Sequence, residues 1–218
     1  MEKKLLTKSE AAKHLKLTES VVEAMIAQKL FVTKTVGRTL KIESISIESW
    51  LESLSEQDVR DLAKQKTICR FKEYFGTDFI FLDFEADNKY EAIRFMSEKA
   101  KELKLVRDAR WLYEVVVARE ELVSTAVGNG VALLHPRHLH PSKIKRPAVL
   151  FGRCPKGVDF DSHDDKPVTL FFMLLLHDDK QHLFSLSYLS RIMLEAEKRK
   201  LLNEATTIQT IHNTLTDA

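Results

Sequence analysis

The sequence predicts a mixed α/β domain, a β-sheet flanked by helices, with a small winged helix-turn-helix unit in front of it. Three observations predict this. Apolar runs at 131–134, 148–153 and 168–176 have the length and composition of buried strands. Helical stripes, such as Ala92, Ile93, Met96, Ala100 and Leu103, separate the strand candidates, and strands alternating with helices imply an α/β architecture. Near the N-terminus, two capped helices joined by a tight connection precede a short alternating hairpin, which is the pattern of a winged helix-turn-helix. The expected division is a helix-turn-helix module over 1–55, a helical linker over 56–70 and an α/β domain over 71–218.

Taken in order, Thr7-Lys8-Ser9-Glu10 is a capping box that starts a first helix carrying Ala11, Ala12 and Leu15 on one face. Thr18 caps a second helix with Val21, Val22, Met25 and Ile26 at helical spacing. Val32, Lys34 and Val36 alternate, Gly37-Arg38 supplies a two-residue turn, and Leu40 and Ile42 alternate on the return strand. Ile47, Trp50 and Leu51 mark a third helix. Residues 54–70 are charged and lack Gly and Pro, with Val59, Leu62 and Ala63 recurring helically, so this stretch is a helix and not a loose tether. A strand is expected across 79–84, a helix from the Asn88/Glu91 capping pair, and another from Asp108 that carries Trp111, Leu112, Val115 and Val116 inward. After the later strands, Leu183, Leu186, Leu189 and Met193 mark a further helix, with polar helical segments to the end.

The densest stretch runs from Arg119 to His135. Gly128-Asn129-Gly130 is a turn that feeds the strand 131–134, and His135 stands at that strand's end, where a rigid scaffold presents a reactive group to flexible loops.

Composition bounds the function. The 218 residues are 44% hydrophobic, enough for a packed core, and the charges nearly cancel at +2, so no global basic field argues for nucleic acid. Two widely spaced cysteines, Cys69 and Cys154, make no disulfide framework, and the cytoplasm is the expected compartment. No apolar run approaches the roughly 20 residues of a membrane helix, so no membrane insertion is expected. His135, His138 and His140 form an H-x-x-H-x-H cluster, but Pro136 and Pro141 make the segment an irregular loop. It lacks the helical i, i+4 spacing that presents two ligands together, so neither a metal nor another cofactor is expected. No phosphate-cradling Gly-rich loop with its Lys, no nucleophile elbow and no kinase signature occurs.

Leu5-Leu6-Thr7 with Glu10-Ala11-Ala12, the turn Val36-Gly37-Arg38, and Ile47 with Trp50-Leu51 together resemble small winged-helix DNA-binding modules of the excisionase and MerR-related type. The resemblance implies a second helix in the major groove and a wing on the backbone. Here the second helix offers Glu19 and Glu23, with Ser20, Gln28 and Lys29 as the remaining contacts, so the wing residues Lys34, Arg38 and Lys41 are the candidate DNA contacts.

Three segments make the rest of the chain similar to the fructose/mannitol and nitrogen-regulatory type IIA domains of the phosphoenolpyruvate:sugar phosphotransferase system (PTS). They are Arg119-Glu120 with Ser124-Thr125, Gly128-Asn129-Gly130 and His135; Phe151-Gly152-Arg153 with Gly157-Val158-Asp159-Phe160; and Lys166-Pro167-Val168 leading to His182-Leu183 and Leu189-Ser190-Arg191. The resemblance implies that His135 accepts a phosphoryl group from the phosphohistidine of the carrier HPr, a half-reaction and not a turnover activity. It further implies that Arg119 and His182 assist, with Thr125, Gly128, Asn129 and Gly130 shaping the phosphoryl pocket. Leu134-His135-Pro136 stands where the family writes Pro-His-Gly, and proline has no N–H to offer a phosphoryl oxygen. The expected role is a regulatory phosphocarrier that signals through a downstream protein or DNA. The alternative is a DNA-binding transcriptional regulator whose IIA-like domain is an unphosphorylated scaffold.

Overall fold

A computed structural model describes residues 4–216. The chain divides into two compact units between Lys72 and Glu73. The first contains β1 (Leu5–Leu6), α1 (Lys8–Leu15), α2 (Glu19–Ala27), β2 (Thr33–Val36), β3 (Thr39–Glu43), α3 (Ser44–Glu52) and α4 (Glu56–Lys72). Thr7 and Glu10 close their capping box reciprocally, the Thr7 N–H donating to Glu10 Oε2 at 2.8 Å. Thr18 caps α2 in turn. Ala11, Ala12, Leu15, Val22, Ile42 and Ile47 form the core, beside an antiparallel sheet in the order β1-β3-β2.

Two expectations change here. The hairpin forms, but Val32 and Val36 do not point inward; they are 54% and 48% exposed. The register pairs Thr33 with Ile42, and it is this face that meets the core through Ile42, while the tip overhangs it. The helix expected as a linker over 56–70 extends to Lys72 within the first unit, and Leu62 and Cys69 pack on that unit's core.

The second unit opens with a 3-10 turn (Thr77–Phe79) and continues through β4 (Ile80–Phe81), α5 (Lys89–Glu102), α6 (Ala109–Glu120), β5 (Ala126–Gly128), β6 (Val131–Leu134), β7 (Ala148–Val158), β8 (Val168–Leu175), α7 (Asp179–Leu194), α8 (Ala196–Glu204) and α9 (Ile208–Thr216). The sheet order is β4-β7-β8-β6-β5. β4 with β7 and β6 with β8 are parallel, and β7 with β8 and β5 with β6 are antiparallel. The sheet is therefore mixed. Every residue of β6 is buried and almost every residue of β8, which is why both read as continuous apolar runs instead of alternating ones. Leu134, Phe171, Met173 and Leu175 meet the α5–α6 stripe of Ala92, Ile93, Met96, Ala100, Leu112 and Val116. The strand expected across 79–84 shrinks to two residues. Phe79 closes the 3-10 turn, its N–H donating to Gly76 O, and Asp83 at φ 53° interrupts the extended run.

Arg153 on β7 is a buried cation with its partners supplied. Its guanidinium pairs with Asp83 at 2.7 Å and donates to the carbonyls of Leu202, Asn203 and Ala205 at the C-terminal end of α8. Those carbonyls have no further helical turn to accept from and carry the negative end of the helix dipole, so one side chain satisfies three acceptors at once. Replacing Arg153 with Met is expected to lower stability by about 3 kcal/mol, because the carbonyls lose their donor inside the fold. Urea unfolding of the two chains, followed by a probe in the second unit, measures the difference.

Candidate functional site

His135 sits one residue past β6, and His182 lies in the first turn of α7, which follows β8. Since β6 and β8 are parallel neighbours, with Leu134 opposite Met173, their carboxyl ends deliver both histidines to the same edge of the sheet. This is the edge where ligands of open α/β sheets gather. The two rings meet edge to face, with centroids 4.9 Å apart. Arg119, in the last turn of α6, completes the group: its Nε–H donates to His135 Nε2 at 3.3 Å and its Nη1–H to the Val123 carbonyl at 2.7 Å.

The other ring nitrogen of His135 lies 2.9 Å from the Leu133 carbonyl. A carbonyl only accepts, so Nδ1 carries the proton and Nε2 keeps its lone pair. Burial pushes the His135 pKa down to about 4; the Leu133 carbonyl opposes the shift, and the charges of His182 and Arg119 add to it. His182 is lowered too, again first by burial, with Asp179 pulling the other way. At neutral pH both rings are uncharged beside one fixed guanidinium.

Of the expected pocket residues, Thr125 is brought to this end of the sheet and the turn is not. The Thr125 carbonyl accepts from Leu133 N–H at 3.0 Å, placing it beside the residue that holds His135. Gly128, Asn129 and Gly130 lie at the opposite end of β6, about 13 Å away at the rise of a strand. They stand at the far end of the strand from His135. All three have positive φ, the Asn129 N–H donates to Asp164 at 2.7 Å, and a Cβ on Gly128 would come within 2.8 Å of His163. Their work is to pin the β5–β6 turn to the 159–167 loop.

His140 rests edge-on against Trp111, and His138 is exposed. No group of three or more His, Cys, Asp or Glu side chains suited to a metal occurs among the described residues. Among the wing residues, Lys34 pairs with Glu43 at 2.6 Å, Arg38 is exposed, and Lys41 stands opposite Lys34 across the hairpin. Glu120 entered the sequence reading only as part of the Arg119-Glu120 motif, with no role of its own. It is 2% exposed, and its Oε2 accepts from both the N–H and the hydroxyl of Thr125. A carboxylate in the last turn of a helix runs against the dipole, and that misplacement was the available signal.

The His135 shift makes a direct prediction. In an NMR titration of the ring, His135 stays mainly neutral at pH 5.5, where an ordinary imidazole is about 90% protonated, and titrates only near pH 4. The unfolded chain takes up this proton near 6.5. Protons therefore favour the unfolded state between these values. The stability contribution is complete above pH 6.5 and is lost as the pH falls towards 4.

Residues 73–218, from the first residue of the second unit onward, match the family described as "Phosphoenolpyruvate-dependent sugar phosphotransferase system, EIIA 2". The chain is 32% identical over 142 residues to the PTS system fructose-specific EIIA component of Haloferax volcanii, covering 64% of this chain and 90% of that protein. It is 32% identical over 133 residues to a nitrogen regulatory protein of Bradyrhizobium diazoefficiens, covering 60% of this chain and 84% of the relative. The crystal structure of nitrogen regulatory protein IIA-Ntr from Neisseria meningitidis superposes with a TM-score of 0.60 at 30% identity, over 66% of this chain and 97% of that one. With its mixed sheet and the two histidines at one edge, the chain belongs to the EIIA 2 family of the phosphotransferase system.

Proposed function

We propose that the second unit is a regulatory phosphocarrier that accepts a phosphoryl group on His135 Nε2 from the phosphohistidine of an HPr-like protein. The observation that carries this is the pair of contacts on His135: Leu133 O holds the proton on Nδ1, and Arg119 marks the lone pair on Nε2. In the transfer, that lone pair attacks phosphorus, an N–P bond forms as the donor's N–P bond breaks, and the electron pair returns to the donor's imidazole. No proton needs to move at His135. The transition state is loose, with charge on the peripheral oxygens, so the protein's contribution is positioning and charge. Arg119 swings its donors from Nε2 to those oxygens, and His182 supplies the facing ring. Transfer onward to a partner reverses the same step.

A nitrogen-regulatory role, in the cytoplasm where a phosphorylated carrier is available, is supported by the likeness to relatives of that name. No helix among the described residues is long and apolar enough to cross a membrane. Phosphorylation places about two negative charges at this edge of the sheet, enough to change which downstream protein docks there.

The first unit is proposed to bind DNA through its wing. Support comes from the order of its elements, two helices and then a hairpin, and from a groove lined by Thr7, Lys8, Ser9 and Arg38. Glu19 and Glu23 line the same groove, and Lys8 is already paired with Glu23, which leaves Arg38 as its free cation among the described residues. The competing reading is a transcription factor whose second unit only binds protein.

With phosphoenolpyruvate, enzyme I and HPr, the wild type is expected to gain an acid-labile phosphate that His135→Ala lacks. Arg119→Lys should retain it at a rate reduced by roughly tenfold or more, since lysine cannot reproduce the planar fork. A wild type that stays unlabelled sinks the carrier reading. In gel shifts at low salt, Arg38→Ala is expected to weaken binding across sequences and reduce the salt slope by about one. Absence of any shift at low salt assigns the first unit to protein docking.

A further inference from the structure

The buried carboxylate of Glu120 is left out of the mechanism above. Its Oε2 accepts the Thr125 N–H at 2.8 Å and the Thr125 hydroxyl at 2.5 Å. Its Oε1 is buried with no hydrogen-bond donor among the described residues. A carboxyl oxygen taken out of water and left without a donor is unfavourable, and so is an acidic side chain at the C-terminal end of a helix. Two unfavourable features at one residue require something that offsets them.

The contacts around Glu120 close on themselves. Glu120 holds Thr125 through its N–H and hydroxyl, and the Thr125 carbonyl accepts from Leu133 N–H. The Leu133 carbonyl accepts from His135 Nδ1, and His135 Nε2 accepts from Arg119, the residue preceding Glu120. The ring thus joins the end of α6, the start of β5 and the end of β6 through both nitrogens of the acceptor imidazole. The segment between its anchors, 121–123, is exposed, so the buried part of the tie between the end of α6 and β5 is the Glu120–Thr125 pair. Lys89, at the start of α5, is the nearby counter-charge: its pKa is raised first by its bond to Asp161, with Glu120 also contributing.

We infer that Glu120 is a positioning residue for phosphoryl transfer, its buried carboxylate fixing Thr125 and through it the tautomer and aim of His135. This rests on the phosphoacceptor reading of His135, but it has a readout of its own. A carboxylate accepts at both oxygens and donates at neither. Glutamine in its place puts an amide N–H₂ either at the buried Oε1 position or against the Thr125 N–H. Turned with its N–H₂ towards Thr125, the amide removes both acceptor bonds, and turned the other way it keeps them on a neutral and weaker acceptor; in both cases Thr125 is held less firmly, and the slack reaches Leu133 and the His135 proton. Chemistry that depends on near-attack geometry is sensitive to small displacements of the reacting atom.

The test compares Glu120→Gln, Thr125→Val and Thr125→Ser in the full chain, each checked for folding by thermal melting. Phosphorylation by phospho-HPr is measured alongside the ¹⁵N resonances of the His135 ring. Glu120→Gln and Thr125→Val are expected to lower the maximal transfer rate by about tenfold with little change in the half-saturating HPr concentration. In both, His135 passes from one Nδ1–H tautomer to a mixture. Thr125→Ser, which keeps the hydroxyl, restores most of the rate lost in Thr125→Val and the single tautomer. A folded Glu120→Gln with wild-type rate and tautomer overturns the inference. Should Glu120→Gln not fold, Thr125→Val decides by the same two readouts. If wild type takes no phosphoryl group, the carrier reading fails separately, and the tautomer comparison in the same samples still settles whether Glu120 positions His135.

Discussion

The hydrogen bond from His135 Nδ1 to the Leu133 carbonyl is the constraint on which the site depends. An imidazole two residues along from that carbonyl, at the end of a strand, is close enough to donate to it, and Arg119, which only donates, requires the same tautomer from the Nε2 side. Once the proton is fixed on Nδ1, the lone pair on Nε2 has one direction, and Arg119 stands in that direction. The parallel pairing of β6 with β8 then determines which second ring it faces, because the same sheet edge launches α7 and His182. A one-residue slip of β6 would move its side chains to the other face and carry His135 away from both partners.

The electrostatics follow from burial. Both rings are driven towards neutrality by loss of water, leaving the Arg119 guanidinium as the fixed charge at the centre of the group. A phosphoryl group arriving there meets one cation and polar rings, not a cluster of charges. That suits a carrier, since a site built to hold the dianion as tightly as possible would stabilise the phosphorylated state at the expense of release. Catalysis by positioning needs the oxygens met in the transition state more strongly than in either end state. In the proposed transfer, a guanidinium that rests on Nε2 and turns to the oxygens as the N–P bond forms would meet that need.

Much of the second unit was legible in the sequence. The buried strands β6, β7 and β8 are apolar runs whose composition admits little else, and α5 and α6 carry an apolar stripe behind an Asn88 and an Asp108 cap. That His135, Arg119 and His182 stand together was legible because the motif spacing had to coincide in register. What stayed hidden depends on tertiary partners. β5 is three residues long with a bulge at Val127, and β4 is two residues long, so each exists through pairing and not through its own pattern. The Gly128–Gly130 turn was misplaced because nearness in sequence suggested nearness in space, whereas a strand of four residues separates its ends by more than the reach of a backbone donor. Leu133 could not be read at all, since its contribution is a carbonyl.

Pro136 bears on how this site differs from the pattern it otherwise follows. With no N–H after His135, the backbone just beyond β6 would supply one donor fewer to the phosphoryl oxygens of the proposed transfer, and Pro136 is itself buried. The proline also restricts the backbone of His135 to extended conformations, which limits the ways the ring can leave Leu133. The substitution therefore removes a donor and stiffens the acceptor in the same step. Donation to the phosphoryl oxygens falls more heavily on Arg119, whose Nη1 is committed to Val123 while its Nε rests on the acceptor ring. Rigidity at His135 and dependence on one guanidinium are thus two consequences of a single residue, and both raise the importance of whatever holds the end of α6 in place.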